Sequence, residues 1–365
     1  MPEPYVPGAG FPTGKSGRGL ARRRVIVSGA GVFATYVHHL DPVLLQLGKF
    51  ALRWYGLAYL GGFVAGYYLL KRLAQRGLWV LKPEQAADFI AAAALFGVFL
   101  GGRLGYVLFY QILDPARGWR TVAENPLEIF QVWKGGMASH GGILGLILFT
   151  WFYSRKKKVS WTGLGDGLCV VAPVGLFFGR IANFINGELY GRVAHGVLWA
   201  MKFPLALNDA KAPESARFGE AINAAVQVDP SILETPAGTP AGDYQVFENL
   251  LAANRKLPAV RQAIEPYLEP RHPSQLYEAA LEGLLLFAIL WTVRVRFPKA
   301  PHGLLTGLFF GCYAIFRIFA EQFREPDASW VVEGVVTKGQ FLSFFMFAFA
   351  AAFLIKAWRG RARQA

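Results

Sequence analysis

Gly179-Arg180-Ile181-Ala182-Asn183-Phe184-Ile185-Asn186-Gly187-Glu188-Leu189-Tyr190-Gly191-Arg192 closes a long apolar run, yet it carries two asparagines, a glutamate and two arginines. Continued as a helix, it sets Arg180, Asn183 and Gly187 at i, i+3 and i+7. One face then holds a guanidinium and an amide beside a residue with no side chain. Charge at that depth in an apolar segment is costly and normally faces a bundle interior or a water-filled cavity. Two readings are open here: a polar helix-packing cluster near a membrane surface, or a site for an anionic group.

The whole chain has the composition of a membrane protein. Of its 365 residues, 54% are hydrophobic and 17% charged, against about a quarter charged in a soluble domain, and the mean hydropathy is +0.31. Ten Trp, 14 Tyr and 30 Phe suit aromatic belts at membrane interfaces. A net charge of +14 would also suit nucleic acid, but the basic residues cluster between apolar runs. There they set topology and meet anionic lipid head groups, so no nucleic-acid partner is expected. Cys169 and Cys312 lie inside apolar runs and read as packing residues, without a disulfide or a metal site.

Seven segments approach the roughly 20 residues needed to cross a bilayer, at about 50–70, 87–110, 136–153, 165–187, 274–293, 303–321 and 338–357. The expected fold is an all-α membrane protein, seven transmembrane helices with a small extracytoplasmic head between helices four and five. Residues 1–48 form an N-terminal extension with an interfacial segment, 49–191 helices one to four, and 192–270 the head. Residues 271–358 form helices five to seven, and 359–365 a basic tail. Lys71, Arg72, Arg76 and Lys82 follow span one, and Arg155 to Lys158 follow span three. Arg294, Arg296 and Lys299 follow span five, and Lys356, Arg359, Arg361 and Arg363 follow span seven. Those four loops are cytoplasmic by the positive-inside rule, which puts the N-terminus outside and the C-terminus inside. The arginines of the N-terminal tail run against this orientation. Residues 9–16 (AGFPTGKS) pass a relaxed phosphate-loop pattern without its strand–helix context and are set aside. The apolar stretch 25–37 is too short to span. The segment from Arg192 to Pro270 is polar and rich in proline, too long for a simple connection. No internal repeat is evident, which argues against an inverted-repeat transporter.

Polar residues recur where they are expensive. Span one holds Arg53-Trp54-Tyr55-Gly56. Span two places Arg103, Tyr106 and Tyr110 on one stripe among glycines that allow close approach. Span three opens Ser139-His140-Gly141-Gly142, with an accessible imidazole of the kind used as a general base. Its HGG resembles an oxyanion-hole motif, but the chain has no G-x-S-x-G elbow. Span five begins Arg271-His272-Pro273-Ser274-Gln275-Leu276-Tyr277-Glu278, with Gln275, Glu278 and Glu282 on one face. Span six puts Tyr313, Arg317, Glu321 and Arg324 on a single stripe. An ion pair from Glu321 to Arg317 or Arg324 leaves one arginine unbalanced. The excess guanidinium suits a phosphate, which arginine binds bidentately.

At these residues the chain resembles the prolipoprotein diacylglyceryl transferases of bacterial inner membranes. GRIANFINGELYGR (179–192) looks like the family signature. In order, RWYGLAYL (53–60), FLGGRLGYVLFY (99–110), SHGGILG (139–145), RHPSQLYEAALEG (271–283) and FRIFAEQFREPD (316–327) support it. The likeness covers roughly 40–358; the N-terminal extension is not family-like and 192–270 is longer than usual. The resemblance implies transfer of the sn-1,2-diacylglyceryl group from phosphatidylglycerol to the lipobox cysteine in a prolipoprotein signal peptide, with glycerol 1-phosphate released. It implies a multi-pass inner-membrane enzyme acting as a monomer. Tyr55, His140, Arg180, Asn183, Glu188, Gly191, Tyr313, Arg317 and Glu321 match family positions. His140, Arg180 and Arg317 are the expected catalytic residues. Tyr55, Arg103, Asn183, Asn186, Glu188, Gly191, Tyr313, Glu321 and Arg324 are the expected substrate contacts. No cofactor or metal is expected. The competing readings are a transporter for an anionic solute, with arginines lining a path to the cytoplasmic side, and a lipid-binding scaffold without chemistry.

Overall fold

A computed structural model describes residues 35–48, 50–113, 119, 123–124, 126–131, 136–235, 239, 241–325 and 337–362. The phosphate-loop-like stretch 9–16 and most of 25–37 lie outside the described residues. The chain enters through a short strand, β1 (Tyr36–Val37), and an antiparallel hairpin of β2 (Val43–Leu47) and β3 (Phe50–Arg53). The chain is otherwise mostly helical, as expected of an all-α membrane protein, and the hairpin corrects one expectation, a first helix beginning near residue 50. Gly48, at φ +58, turns the chain there, a conformation glycine adopts without steric cost. Helix α1 (Trp54–Gln75) therefore starts only after the hairpin.

The helices that follow are α2 (Pro83–Ile112), α3 (Ser139–Lys157) and α4 (Trp161–Asn186). Between α4 and α8 (Ser274–Arg296) come strand β4 (Met201–Lys202) and three short helices, α5 (Phe218–Val226), α6 (Asp243–Lys256) and α7 (Pro258–Ile264). The chain closes with α9 (Leu304–Ala320) and α10 (Lys338–Ala362). Among the described residues four stretches are long and apolar enough to cross a membrane: α2, α4, α8 and Gly339–Gly360 within α10. At the other expected spans, α9 is apolar but only 17 residues long. Helices α1 and α3 run into Lys71-Arg72 and Arg155-Lys156-Lys157 at their ends.

Helix α4 packs against α1, α8 and α9. Its apolar residues Leu164, Val170 and Val171 join Leu70, Leu73, Phe89, Leu286, Leu290 and Leu305 in one buried core. Helices α2 and α3 meet along a glycine seam. A Cβ on Gly101 would stand 2.7 Å from the Gly145 Cα, and one on Gly141 2.6 Å from the Gly105 Cα. Only glycines allow backbones so near.

The segment between α4 and α8 has a hydrophobic core of its own, built from Ile222, Ile232, Phe247, Leu250, Val260 and Ile264. Its prolines do not mark slack chain. Pro204, Pro213, Pro230, Pro258 and Pro266 each sit in the first turn of a helix, where the missing N–H costs nothing. Strand β4 pairs in parallel with β1, tying this unit to the chain's entry. His38, just past β1, is buried there against Phe203 and Phe184. Burial pushes its imidazole down to about 4.

Candidate active site

The signature stretch divides at Gly187. Helix α4 ends at Asn186, and Gly187 caps it at φ +72, its amide donating to the Phe184 carbonyl and that of Glu188 to Asn183. This is the left-handed cap that glycine serves best, so Gly187 does not extend the Arg180–Asn183 face. Beyond it the chain is knitted to two other segments. The Gly191 amide donates to the His272 carbonyl and the Arg192 amide to that of Phe323, both at 2.9 Å. A side chain on Gly191 would strike the carbonyl oxygens of His272 and Phe323. Arg271, fully buried, locks this junction. Its guanidinium grips Glu214 at 2.7 and 2.6 Å, donates to the Gly191 carbonyl at 3.1 Å and lies over the Tyr190 ring.

The junction brings the start of α8 and the end of α9 against α4, and their charges meet. Arg180 of α4 reaches Glu278 and Glu282 of α8, each at 3.2 Å. Arg317 of α9 also pairs with Glu278 through Nη1, lies 3.8 Å from Glu282, and holds Glu321 at 2.8 Å through Nη2. Arg324 adds contacts to both oxygens of Glu278 at 2.9 and 3.2 Å. Three guanidinium groups, one from α4 and two from the end of α9 and the residues just past it, thus share one carboxylate. Glu278 and Glu282 are fully buried, in and beside a π-helical stretch, Ala279–Leu285, a distortion frequent at functional sites. Tyr313 lies among Glu282, Arg180 and Arg317.

A second group flanks the cluster. The Asn183 amide donates to Glu188 at 2.8 Å and to the Tyr55 hydroxyl at 3.4 Å, and Asn186 reaches the same Glu188 oxygen at 3.3 Å. Gln275 donates to the Glu188 carbonyl at 2.6 Å. Glu188 therefore orders amides. The expected surplus of guanidinium is corrected: with Glu278 and Glu282 counted, three arginines face three carboxylates among the described residues. Among the described residues no group of side chains is arranged to hold a metal ion.

Two expected residues stand apart. Arg103 is buried, donating to the carbonyls of Ile129 at 2.9 Å and Gly136 at 3.1 Å, with its guanidinium over Tyr106. It fastens the connection between α2 and α3. His140 is exposed in the first turn of α3, beside the glycine seam, and no contact joins it to the cluster among the described residues. Glu278, Glu282 and Arg271 stood out in the sequence without being given a place in the site, and Glu214 was missed altogether. The signal for the first two was present as two carboxylates four residues apart inside an apolar helix.

The family model described as Prolipoprotein diacylglyceryl transferase matches residues 42–356. The chain belongs to the prolipoprotein diacylglyceryl transferase family. Relatives named phosphatidylglycerol–prolipoprotein diacylglyceryl transferase agree. The one from Paramagnetospirillum magneticum is 38% identical over 335 residues, covering 91% of this chain and 99% of the relative. That from Neisseria gonorrhoeae is 40% identical over 293 residues, covering 80% and 86%. That from Serratia proteamaculans is 39% identical over 326 residues, covering 89% and 95%. The family match takes in the whole Arg180–Glu278–Arg317 cluster and both flanking elements.

Proposed function

We propose that the Arg180–Arg317 pair grips the head-group phosphate of phosphatidylglycerol as it leaves. The reaction is transfer of the diacylglyceryl group from phosphatidylglycerol to the lipobox cysteine of a prolipoprotein. The cysteine sulfur forms a bond to the glyceryl carbon. The bond from that carbon to the phosphate oxygen breaks, and glycerol 1-phosphate departs with the electron pair. The thiol, with an ordinary pKa of about 8.5, first gives up its proton, and His140 is the assigned acceptor. Its exposure at the head of α3 supports that role.

The observation that carries the reading is the meeting of Arg180 and Arg317 on Glu278. Both contacts of Arg180 are 3.2 Å long, beyond the roughly 2.7–2.9 Å of a strong charge-assisted bond. A phosphate oxygen that offers shorter bonds has donors to take over. Glu278, Glu282 and Glu321 hold the guanidinium groups in place, and Asn183, Asn186, Glu188 and Tyr55 order the adjoining wall. Gly191, Arg324 and Arg103 act by position, through the backbone junction, through Glu278 and through the α2–α3 connection.

The same reading makes α1, α2, α3, α4, α8, α9 and α10 seven spans of the bacterial inner membrane, with residues 192–270 as an extracytoplasmic head on a monomer. The basic residues that end α1, α3 and α8 favour a cytoplasmic location for those ends, leaving the arginine cluster near the outer surface. Purified protein mixed with phosphatidylglycerol and a lipobox-cysteine peptide should release glycerol phosphate in step with thioether formation. Peptide binding without release would defeat the reading.

A further inference from the structure

A cavity of about 700 Å³ opens between the α1–α2 turn, the start of α4, the α8–α9 turn and the end of α10. At about 1.5 Å of rise per residue, its Arg294 lies roughly 18 Å along α8 from Glu282, so it is distinct from the transfer site. Arg294, Lys299, Lys356 and Arg359 line it with His302, against a single carboxylate, Asp166. That carboxylate is already occupied. It accepts from the Gly303 amide at 2.7 Å and from the amide and hydroxyl of Thr306 at 2.8 Å.

Arg294 is only 8% exposed, and its Nε donates to the Leu78 carbonyl at 2.7 Å. Asp166 acts on it only through space, and no carboxylate among the described residues forms an ion pair with it. Membrane topology accounts for exposed lysines at a helix end. It does not account for a buried guanidinium in a cavity wall, because a cation at that depth calls for a compensating anion. The volume falls in the range of small-molecule sites, and Trp358, 72% exposed on α10 beside it, suits the head-group level.

We propose that this cavity is a second anion site, which holds the phosphate of a phospholipid head group from the leaflet at that face without consuming the lipid. Arg294 offers a planar fork at the base and the lysines supply point charge at the mouth. The site requires that the chain sits in a membrane, and does not depend on the assignment of the transfer cluster.

The test uses full-length, delipidated protein in neutral detergent, with native mass spectrometry counting bound dioleoyl phosphatidic acid. Parallel arms use dioleoyl phosphatidylcholine and inorganic phosphate. The Lys299→Gln/Lys356→Gln/Arg359→Gln variant should lose one bound phosphatidic acid, its affinity weakened at least about tenfold. Arg317→Lys should keep that lipid, and the triple variant should keep its transfer rate. Arg294→Gln should behave like the triple variant; if it does not fold, the triple variant, altered only at exposed positions, still decides. Unchanged stoichiometry in the triple variant, or equal retention of phosphatidylcholine, would overturn the site. Saturation by inorganic phosphate that blocks all gain from the lipid would overturn the lipid as its occupant.

Discussion

Arg317→Lys keeps the charge and removes the fork. In the parent, one planar group spans two carboxylates at once, Nη1 on Glu278 and Nη2 on Glu321 at 2.8 Å. A lysine has a single nitrogen, so it can satisfy one of these and must release the other. The group is 15% exposed, so water compensates little. Losing one charge-assisted bond costs about 1.5–3 kcal/mol. If that bond passes to the departing phosphate in the transition state, the loss corresponds to about 10- to 150-fold in rate. The measurement is glycerol phosphate release by purified variant at saturating phosphatidylglycerol, with kcat and KM separated and thermal unfolding as the check on folding. The loss should fall on kcat. A folded variant with kcat within about threefold of the parent would refute the role of fork geometry.

Three further outcomes follow from the same geometry. Glu278→Gln leaves three arginines with two carboxylates and should lower stability by about 3–5 kcal/mol, read as a fall in Tm in detergent; an unchanged Tm contradicts the shared-carboxylate account. Gly191→Ala drives a methyl group into the carbonyl oxygens of His272 and Phe323, and should cost at least about 1–3 kcal/mol as overpacking, with folded yield and transfer falling together. His38 binds its proton less readily in the folded chain, at about 4, than the roughly 6.5 of an exposed histidine. Its contribution is intact above about pH 6.5 and lost as pH falls through 4, by about 3 kcal/mol; His38→Phe should flatten that slope in Tm against pH.

The sequence made the long helices and the polar stripes legible because both are local, periodic signals. Arg180 with Asn183 and Arg317 with Glu321 lie on one helix each, and their spacing places them together. The partners of those arginines were harder to read. Arg317 finds Glu278 39 residues away and Arg180 finds Glu282 102 residues away, and no local pattern specifies a pairing across helices. Counting charges within α9 alone therefore produced a surplus that α8 removes. Before α1, Leu44, Leu45 and Leu47 suit a strand as well as a helix in so short a run, and Gly48 settles the matter only once its backbone angle is seen.

The seam between α2 and α3 carries a different lesson, about repair. Most damaged contacts in a protein interior can be rescued by shrinking the opposing residue. Along Gly101, Gly105, Gly141 and Gly145 both surfaces are already at the lower bound of residue size, so a gained methyl on either side meets nothing that can retreat. His140, the neighbour of Gly141, owes its placement to a joint that tolerates no second-site remedy.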